Sequence, residues 1–179
     1  MFKSSIVLAF VMLPGIALAQ GHQPYAGMEQ RPVKALSEQQ VADLRAGRGM
    51  GLALPAELNG YPGPVHVLEH ADALRLTAEQ RERTKALLET MKAEAVPLGE
   101  RLIEQETALD RLFATRRITS ASLTESTAEI GSTQGRLRET HLKYHLAMMA
   151  ILTPDQVERY RSLRGYAAAG HPRGHGSHK

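Results

Sequence analysis

The residues best suited to chemistry in this sequence are its histidines, several of which recur in pairs. The chain of 179 residues has 8 His and no Cys, so a transition-metal site would rely on imidazole, thioether or carboxylate ligands. His66 and His70 are four residues apart, and so are His141 and His145. On a helix this spacing places both imidazoles on one face, where they can chelate Zn, Ni, Co or Cu. The alternative is that each pair only contributes hydrogen bonds to the helix packing.

Two further residues could complete a site near the second histidine pair. Met149 follows His145 by four residues and adds a thioether on the same helix face. If the chain reverses direction near residue 117, His145 lies opposite Glu89, whose carboxylate is then an oxygen ligand at the same level. A helix over residues 65–74 would enter at this end and bring the first histidine pair close. The methionine could instead only fill a gap in the core.

Histidines near the two ends of the chain predict secondary metal sites. Cleavage after Ala19 would expose Gln20, Gly21 and His22, whose amine, amides and imidazole form a square-planar nitrogen set for Cu(II) or Ni(II). Cyclisation of Gln20 to pyroglutamate would abolish that set. The tail over residues 167–179 could bind metal loosely or be only a solvated end. Its histidines are His171, His175 and His178.

The first nineteen residues have the three parts of a secretory signal peptide. Lys3 gives a positive start, an apolar run follows, and Ala17-Leu18-Ala19 matches a cleavage site. We therefore expect an exported mature protein without membrane insertion. The formal net charge is +3 and the basic residues are interleaved with acids, which argues against nucleic-acid binding.

Apolar periodicity predicts an all-α fold built on a long antiparallel helical hairpin with short flanking helices. Apolar residues recur every three or four positions from Thr77 to Thr115, where Pro97 should kink or divide the helix. Thr119 can cap a second long helix that ends near Leu152, and a last helix covers 153–164. The predicted divisions are a signal peptide at 1–19, a flexible arm at 20–35, short helices with a Gly/Pro loop at 36–64, the hairpin domain at 65–166 and a disordered tail at 167–179.

A two-helix hairpin cannot bury its whole apolar seam within the pair. The short helices could cover part of this seam, and a second copy of the chain is the natural cover for the rest. We therefore expect a homodimer, with a monomeric bundle as the alternative.

One short element occurs twice, at the two ends of the predicted hairpin. Leu76, Thr77 and Gln80 in the first copy match Leu152, Thr153 and Gln156 in the second. Each copy predicts a helix start in which the Thr caps and the Gln closes a capping box. A single box is common, whereas two copies around a long hairpin behind a signal peptide form a far more specific pattern.

This arrangement resembles the LTxxQ family of periplasmic proteins over residues 65–166. That family includes the Spy and CpxP stress chaperones, zinc-resistance-associated proteins and periplasmic heavy-metal sensors. The resemblance implies a hooked, Spy/CpxP-like hairpin, often dimeric, that either binds metal or holds unfolded clients. By similarity with the metal sensors, the ligands would be His66, His70, Glu89, His145 and Met149. His141 has no counterpart in that pattern.

The sequence contains no catalytic motif, so we expect a binding protein rather than an enzyme. The first functional prediction is a periplasmic metal-binding protein for heavy-metal sensing, resistance or envelope stress. The alternative is an ATP-independent holdase chaperone for unfolded envelope proteins. A third possibility is a scaffold that docks on a membrane-bound signalling protein.

Overall fold

The computed structural model describes residues 25–166, and these residues are helical without any β-strand. The predicted all-α class is therefore confirmed for this part of the chain. A short 3-10 helix at Met28–Gln30 precedes six α-helices. Their bounds are α1 Glu38–Arg45, α2 Leu54–Glu57, α3 Pro64–Glu69, α4 Ala78–Ala114, α5 Ser120–Met148 and α6 Pro154–Leu163. The predicted signal peptide, the set at Gln20, Gly21 and His22, and the tail with His171, His175 and His178 lie outside the described residues.

Four of the helices begin with a complete capping box. Ser37, Thr77, Thr119 and Thr153 each accept a hydrogen bond from the backbone N–H three residues later. The side chain at that later position accepts from the backbone N–H of the capping residue in return. These boxes satisfy N–H groups that have no partner inside the helix, and they fix where each helix starts.

Helices α4 and α5 are the two longest elements, and they run antiparallel across a connection of five residues. The Tyr144 hydroxyl of α5 donates to Glu94 of α4 at 2.8 Å, and Lys143 forms an ion pair with the same carboxylate. α4 continues through Pro97, so the expectation that this residue could divide the helix is wrong. Proline removes one hydrogen bond, and the packing of α4 against α5, α1 and α3 offsets this loss.

The apolar core consists of two clusters of buried side chains. The first joins α3, the start of α4 and the end of α5 to α6; its buried members are Val67, Ala71, Leu74, Leu76, Met148, Ile151, Leu152 and Tyr160. The second joins α1 to the middle of α4 and α5; its buried members are Val33, Leu44, Ala95, Leu102, Ile103, Ile130 and Leu137. No helix in residues 25–166 is long and apolar enough to cross a membrane.

The segment before the two long helices packs against them. α1 approaches α4 so closely that a Cβ at Gly99 would lie 2.6 Å from the carbonyl oxygen of Leu44. Val33 is buried in the second cluster, and Lys34 forms an ion pair with Asp110 at 3.0 Å. These residues belong to the predicted flexible arm, so the end of that arm is instead packed onto α4.

The two copies of the repeated element lie together and bond to each other. Gln80 Nε2 donates to Gln156 Oε1 at 2.8 Å, and Gln156 Nε2 donates to Gln80 Oε1 at 2.9 Å. Each amide also donates to a backbone carbonyl, that of Ile151 for Gln80 and that of Leu74 for Gln156. The same side chains that close the capping boxes therefore also join the start of α4 to the start of α6.

Candidate metal-binding cavity

A cavity of about 200 Å³ lies where the short helices meet the end of the long pair. The loop before α2, α2 itself and the start of α3 form one side, while α4, α5 and the residues after α6 form the other. The side chains that line it and can donate or accept are Glu57, His66, His141, His145, Arg164 and Tyr166, with Met50 and Met91 as thioethers. Three of the six residues predicted as helical metal ligands thus share one cavity.

Two glycines allow the backbone to lie directly on the imidazoles of α5. A Cβ at Gly63 would be 2.8 Å from the ring of His145, and a Cβ at Gly49 would be 3.2 Å from that of His141. Both histidines are buried, with exposed fractions of 8% and 3%. Residues 49–63, whose role the sequence leaves open, therefore cover the histidine pair.

Hydrogen bonds place a proton on Nδ1 in two of the three rings. His145 Nδ1 lies 2.6 Å from the backbone oxygen of Tyr61, which can only accept, so Nδ1 carries a proton and Nε2 is the nitrogen left for a metal ion. His66 Nδ1 lies 2.7 Å from the Glu69 carboxylate, which has the same effect. Histidines that bind metal commonly donate their other ring N–H to a carbonyl or carboxylate in this way.

The third ring, His141, has its Nε2 buried without a hydrogen-bond partner among the described residues. Burial, and to a smaller extent the neighbouring His145, lower the pKa of His141 below its ordinary value of 6.5. This ring is therefore neutral at pH 7, which is the form that binds metal.

Glu57 supplies a carboxylate at the same cavity and is almost fully buried. Its Oε1 accepts from the Tyr160 hydroxyl at 2.5 Å, from Arg164 Nε at 3.1 Å and from the Tyr166 hydroxyl at 3.2 Å. Its Oε2 lies 3.9 Å from His145 Nδ1 and has no hydrogen-bond partner within residues 25–166. A buried carboxylate oxygen without a donor is costly, and a cation would satisfy it.

The structure places the other three predicted ligands away from this cavity. His70 is the C-terminal cap of α3, and its ring forms a T-shaped pair with the Tyr160 ring, with the ring centres 6.5 Å apart. Met149 likewise follows the end of α5 and lines a separate groove with Asn59. Glu89 is exposed and its nearest cationic partner is Lys92 at 4.0 Å.

The Glu89 placement shows an error of about one helical turn in the predicted register. Glu94, five residues further along α4, is the acid that contacts the histidine-bearing end of α5, through Tyr144 and Lys143. Reflection about the connection assumes that both helices advance equally from the turn, and the contacts show that they do not.

Glu57 and Met91 are cavity residues that the sequence reasoning missed. Glu57 is the one acidic residue between Asp43 and Glu69, in a stretch rich in Gly, Pro and apolar residues, and that isolation is the signal that could have identified it.

In the part of the chain that the structure describes, no three His, Asp or Glu side chains already stand in a metal-binding arrangement. Binding would therefore involve side-chain rotation within the cavity.

Comparison with known proteins gives no relative: no family model, no curated protein and no solved structure matches the chain.

Proposed function

We propose that this chain is an exported, periplasmic metal-binding protein that acts in heavy-metal sensing or resistance. The observation that carries the proposal is the cavity in which imidazoles of His66, His141 and His145 meet the buried carboxylate of Glu57. Two of these rings are held in the tautomer that leaves Nε2 as a ligand, and one carboxylate oxygen lacks a donor. Imidazole with carboxylate is a ligand set that suits first-row transition metals.

The exposure of His66 and the charge beside Glu57 both support binding in this cavity. The His66 side chain is 38% exposed at the cavity rim, so it can turn without disturbing the core. Arg164 Nε lies 3.1 Å from Glu57 and supplies a positive charge beside this buried carboxylate.

Calorimetric titration with Zn, Ni, Co and Cu(II) tests this proposal. The reference protein is tag-free mature chain in which His22, His171, His175 and His178 are changed to Ala, so that only helical sites remain. We expect near-stoichiometric binding that falls at least tenfold in His145→Ala. His70→Ala is the matched control. It also removes one histidine of a pair four residues apart, but this histidine lies outside the cavity.

Two results would contradict the proposal. One is a reference protein that binds none of these ions and no Cu(I). The other is binding that His70→Ala weakens as much as His145→Ala, because that would place the ion at the α3 pair rather than in the cavity.

We further infer membership of the LTxxQ family and a homodimer, from the duplicated capping element and the length of the paired helices. The element supports this because both copies form complete boxes and bond to each other. Sedimentation velocity over a hundredfold concentration range checks the oligomer. A species with the mass of one chain at every concentration would contradict the homodimer and favour the monomeric bundle.

An apolar groove favours the holdase as a second candidate function. Between α1, α4 and α5 a groove of about 410 Å³ is open beside Gly131 and Gly135. Its apolar lining is Leu36, Leu44, Met50, Leu52, Leu102 and Leu137. Such a groove can accept an extended apolar segment of an unfolded protein. The holdase predicts suppressed aggregation of a model client by metal-free protein at near-equal molar ratio, and no suppression with or without metal would eliminate it.

A further inference from the structure

Met91 is a buried methionine that does not belong to the apolar core. Its exposed fraction is 5%, yet it is a member of neither cluster of buried apolar side chains. It lies on α4 between the two clusters, and its surroundings are the cavity that also contains His66, His141 and His145. A methionine that only filled a gap in the core would pack among apolar side chains.

A second thioether lies on the opposite wall of the same cavity. Met50 belongs to the loop before α2, is 42% exposed and has a φ of 44°, in the left-handed region that residues other than Gly rarely adopt. Gly47 and Gly51 on either side also have positive φ, so the loop turns tightly here, and Met50 lines both this cavity and the neighbouring apolar groove.

The donors of the cavity carry little net charge. The thioethers carry no charge, and the negative charge of Glu57 is balanced by Arg164 at 3.1 Å. A neutral set of nitrogen and sulfur donors suits a soft ion of low charge, whereas divalent ions with harder character favour additional carboxylates.

We propose that the ion of this cavity is monovalent copper, bound by the thioether of Met91 and, from the loop, that of Met50, together with the imidazoles. This inference rests on the proposed function and specifies the ion. Thioether sulfur selects Cu(I) over Zn, Ni and Co, because the softness of the ligand matches that of the ion.

Anaerobic competition against a chromophoric Cu(I) chelator tests the assignment, with the chain that lacks the four terminal histidines as reference. Met91→Leu and Met50→Leu conserve side-chain volume and remove only the sulfur, and Met149→Leu is the control outside the cavity. We expect Met91→Leu to weaken Cu(I) binding at least tenfold, and Met50→Leu several-fold. Affinity for Zn and Ni should stay within twofold in both, and Met149→Leu should change nothing.

A second measurement distinguishes the loss of a sulfur ligand from a change in the packing of the variant. X-ray absorption at the copper edge of the Cu(I)-loaded reference should show sulfur bound to copper, and this signal should decrease in Met91→Leu. Nitrogen or oxygen ligands alone would overturn the assignment, as would equal Cu(I) affinity in the reference and both cavity variants. If His145→Ala weakens metal binding while Met91→Leu and Met50→Leu do not, only the copper assignment fails. If neither Cu(I) nor any divalent ion binds, the proposed function fails as well.

Discussion

Glu57 connects three parts of the molecule through one carboxylate. It lies on α2, receives hydrogen bonds from Tyr160, Arg164 and Tyr166, and faces His145 of α5. Burial and the hydrogen bond to this carboxylate raise the pKa of Tyr160, so its hydroxyl remains a donor. The charge of Glu57 therefore holds residues 49–63, the covering segment of the cavity, against α6 and the residues that follow it.

Replacing this carboxylate by an amide should destabilise the fold. In Glu57→Gln, Arg164 loses its counter-charge, and the three groups that donate to Oε1 face a neutral amide oxygen, which is a weaker acceptor than a carboxylate. We expect the free energy of unfolding to fall by roughly 2–3 kcal/mol, the range for breaking a mostly buried charged network. Urea denaturation measures this change.

Glu158→Gln on α6 is the matched control, because that side chain is 64% exposed. It should stay within about 0.5 kcal/mol of the parent. An equal effect of the two substitutions would show that the Glu57 network contributes little to stability.

The limits of sequence reasoning are visible in the cavity residues. Histidine spacing suggested a site on α5, and His141 and His145 do lie side by side in the cavity. Glu57 could not be assigned in this way, because its donors are more than 100 residues away in sequence. His70 lies outside the cavity and packs against Tyr160 of α6, a contact that the histidine spacing within α3 does not predict.

The close contact of α1 with α4 depends on the absence of a side chain at Gly99. The Leu44 carbonyl occupies the space that a Cβ would need, and Leu44 itself is buried in the second cluster. This contact therefore fixes the position of α1 on α4, and with it the start of residues 49–63, which follow α1.

A methyl group at this contact should separate the two helices. Gly99→Ala should lower the free energy of unfolding by about 1–3 kcal/mol, because the Leu44 backbone has to move. Gly131→Ala is the control in the interior of α5, where an added Cβ meets nothing within 4 Å. That variant should be more stable by about 0.5–1 kcal/mol, as expected for Ala in place of Gly in a helix. Thermal unfolding followed by circular dichroism distinguishes the two, and equal shifts would contradict the close contact.

Helix starts were the elements most accessible from sequence. Thr77, Thr119 and Thr153 cap the helices for which they were predicted, because a capping box is formed by residues only three positions apart. The continuity of α4 through Pro97 was not accessible, since it depends on packing against distant helices.

The whole molecule places a polar cavity between two apolar clusters, and this arrangement makes stability depend on pH. His141 is neutral and buried in the folded state, so its folded pKa is below the ordinary value of 6.5. As pH falls below about 6.5, the unfolded chain takes up a proton more readily than the folded one. The folded state therefore loses stability as pH decreases through this range.

Urea denaturation at pH 7.5, 6.5 and 5.5 measures this dependence. We expect the free energy of unfolding to decrease between pH 6.5 and 5.5, and to decrease less in His141→Gln. The metal affinity of the cavity should fall in the same window, since protons compete for the imidazoles. A parent protein whose stability is constant, or rises, as the pH is lowered to 5.5 would contradict the buried neutral state of His141.

The paired amides of Gln80 and Gln156 have a consequence for how this sequence can change over evolutionary time. Each amide is donor and acceptor to the other, so a substitution at one position leaves unpaired groups at both. A compensating change must then occur 76 residues away in the same chain. Among homologous sequences these two positions should therefore co-vary, and tolerated replacements should appear as matched pairs rather than singly.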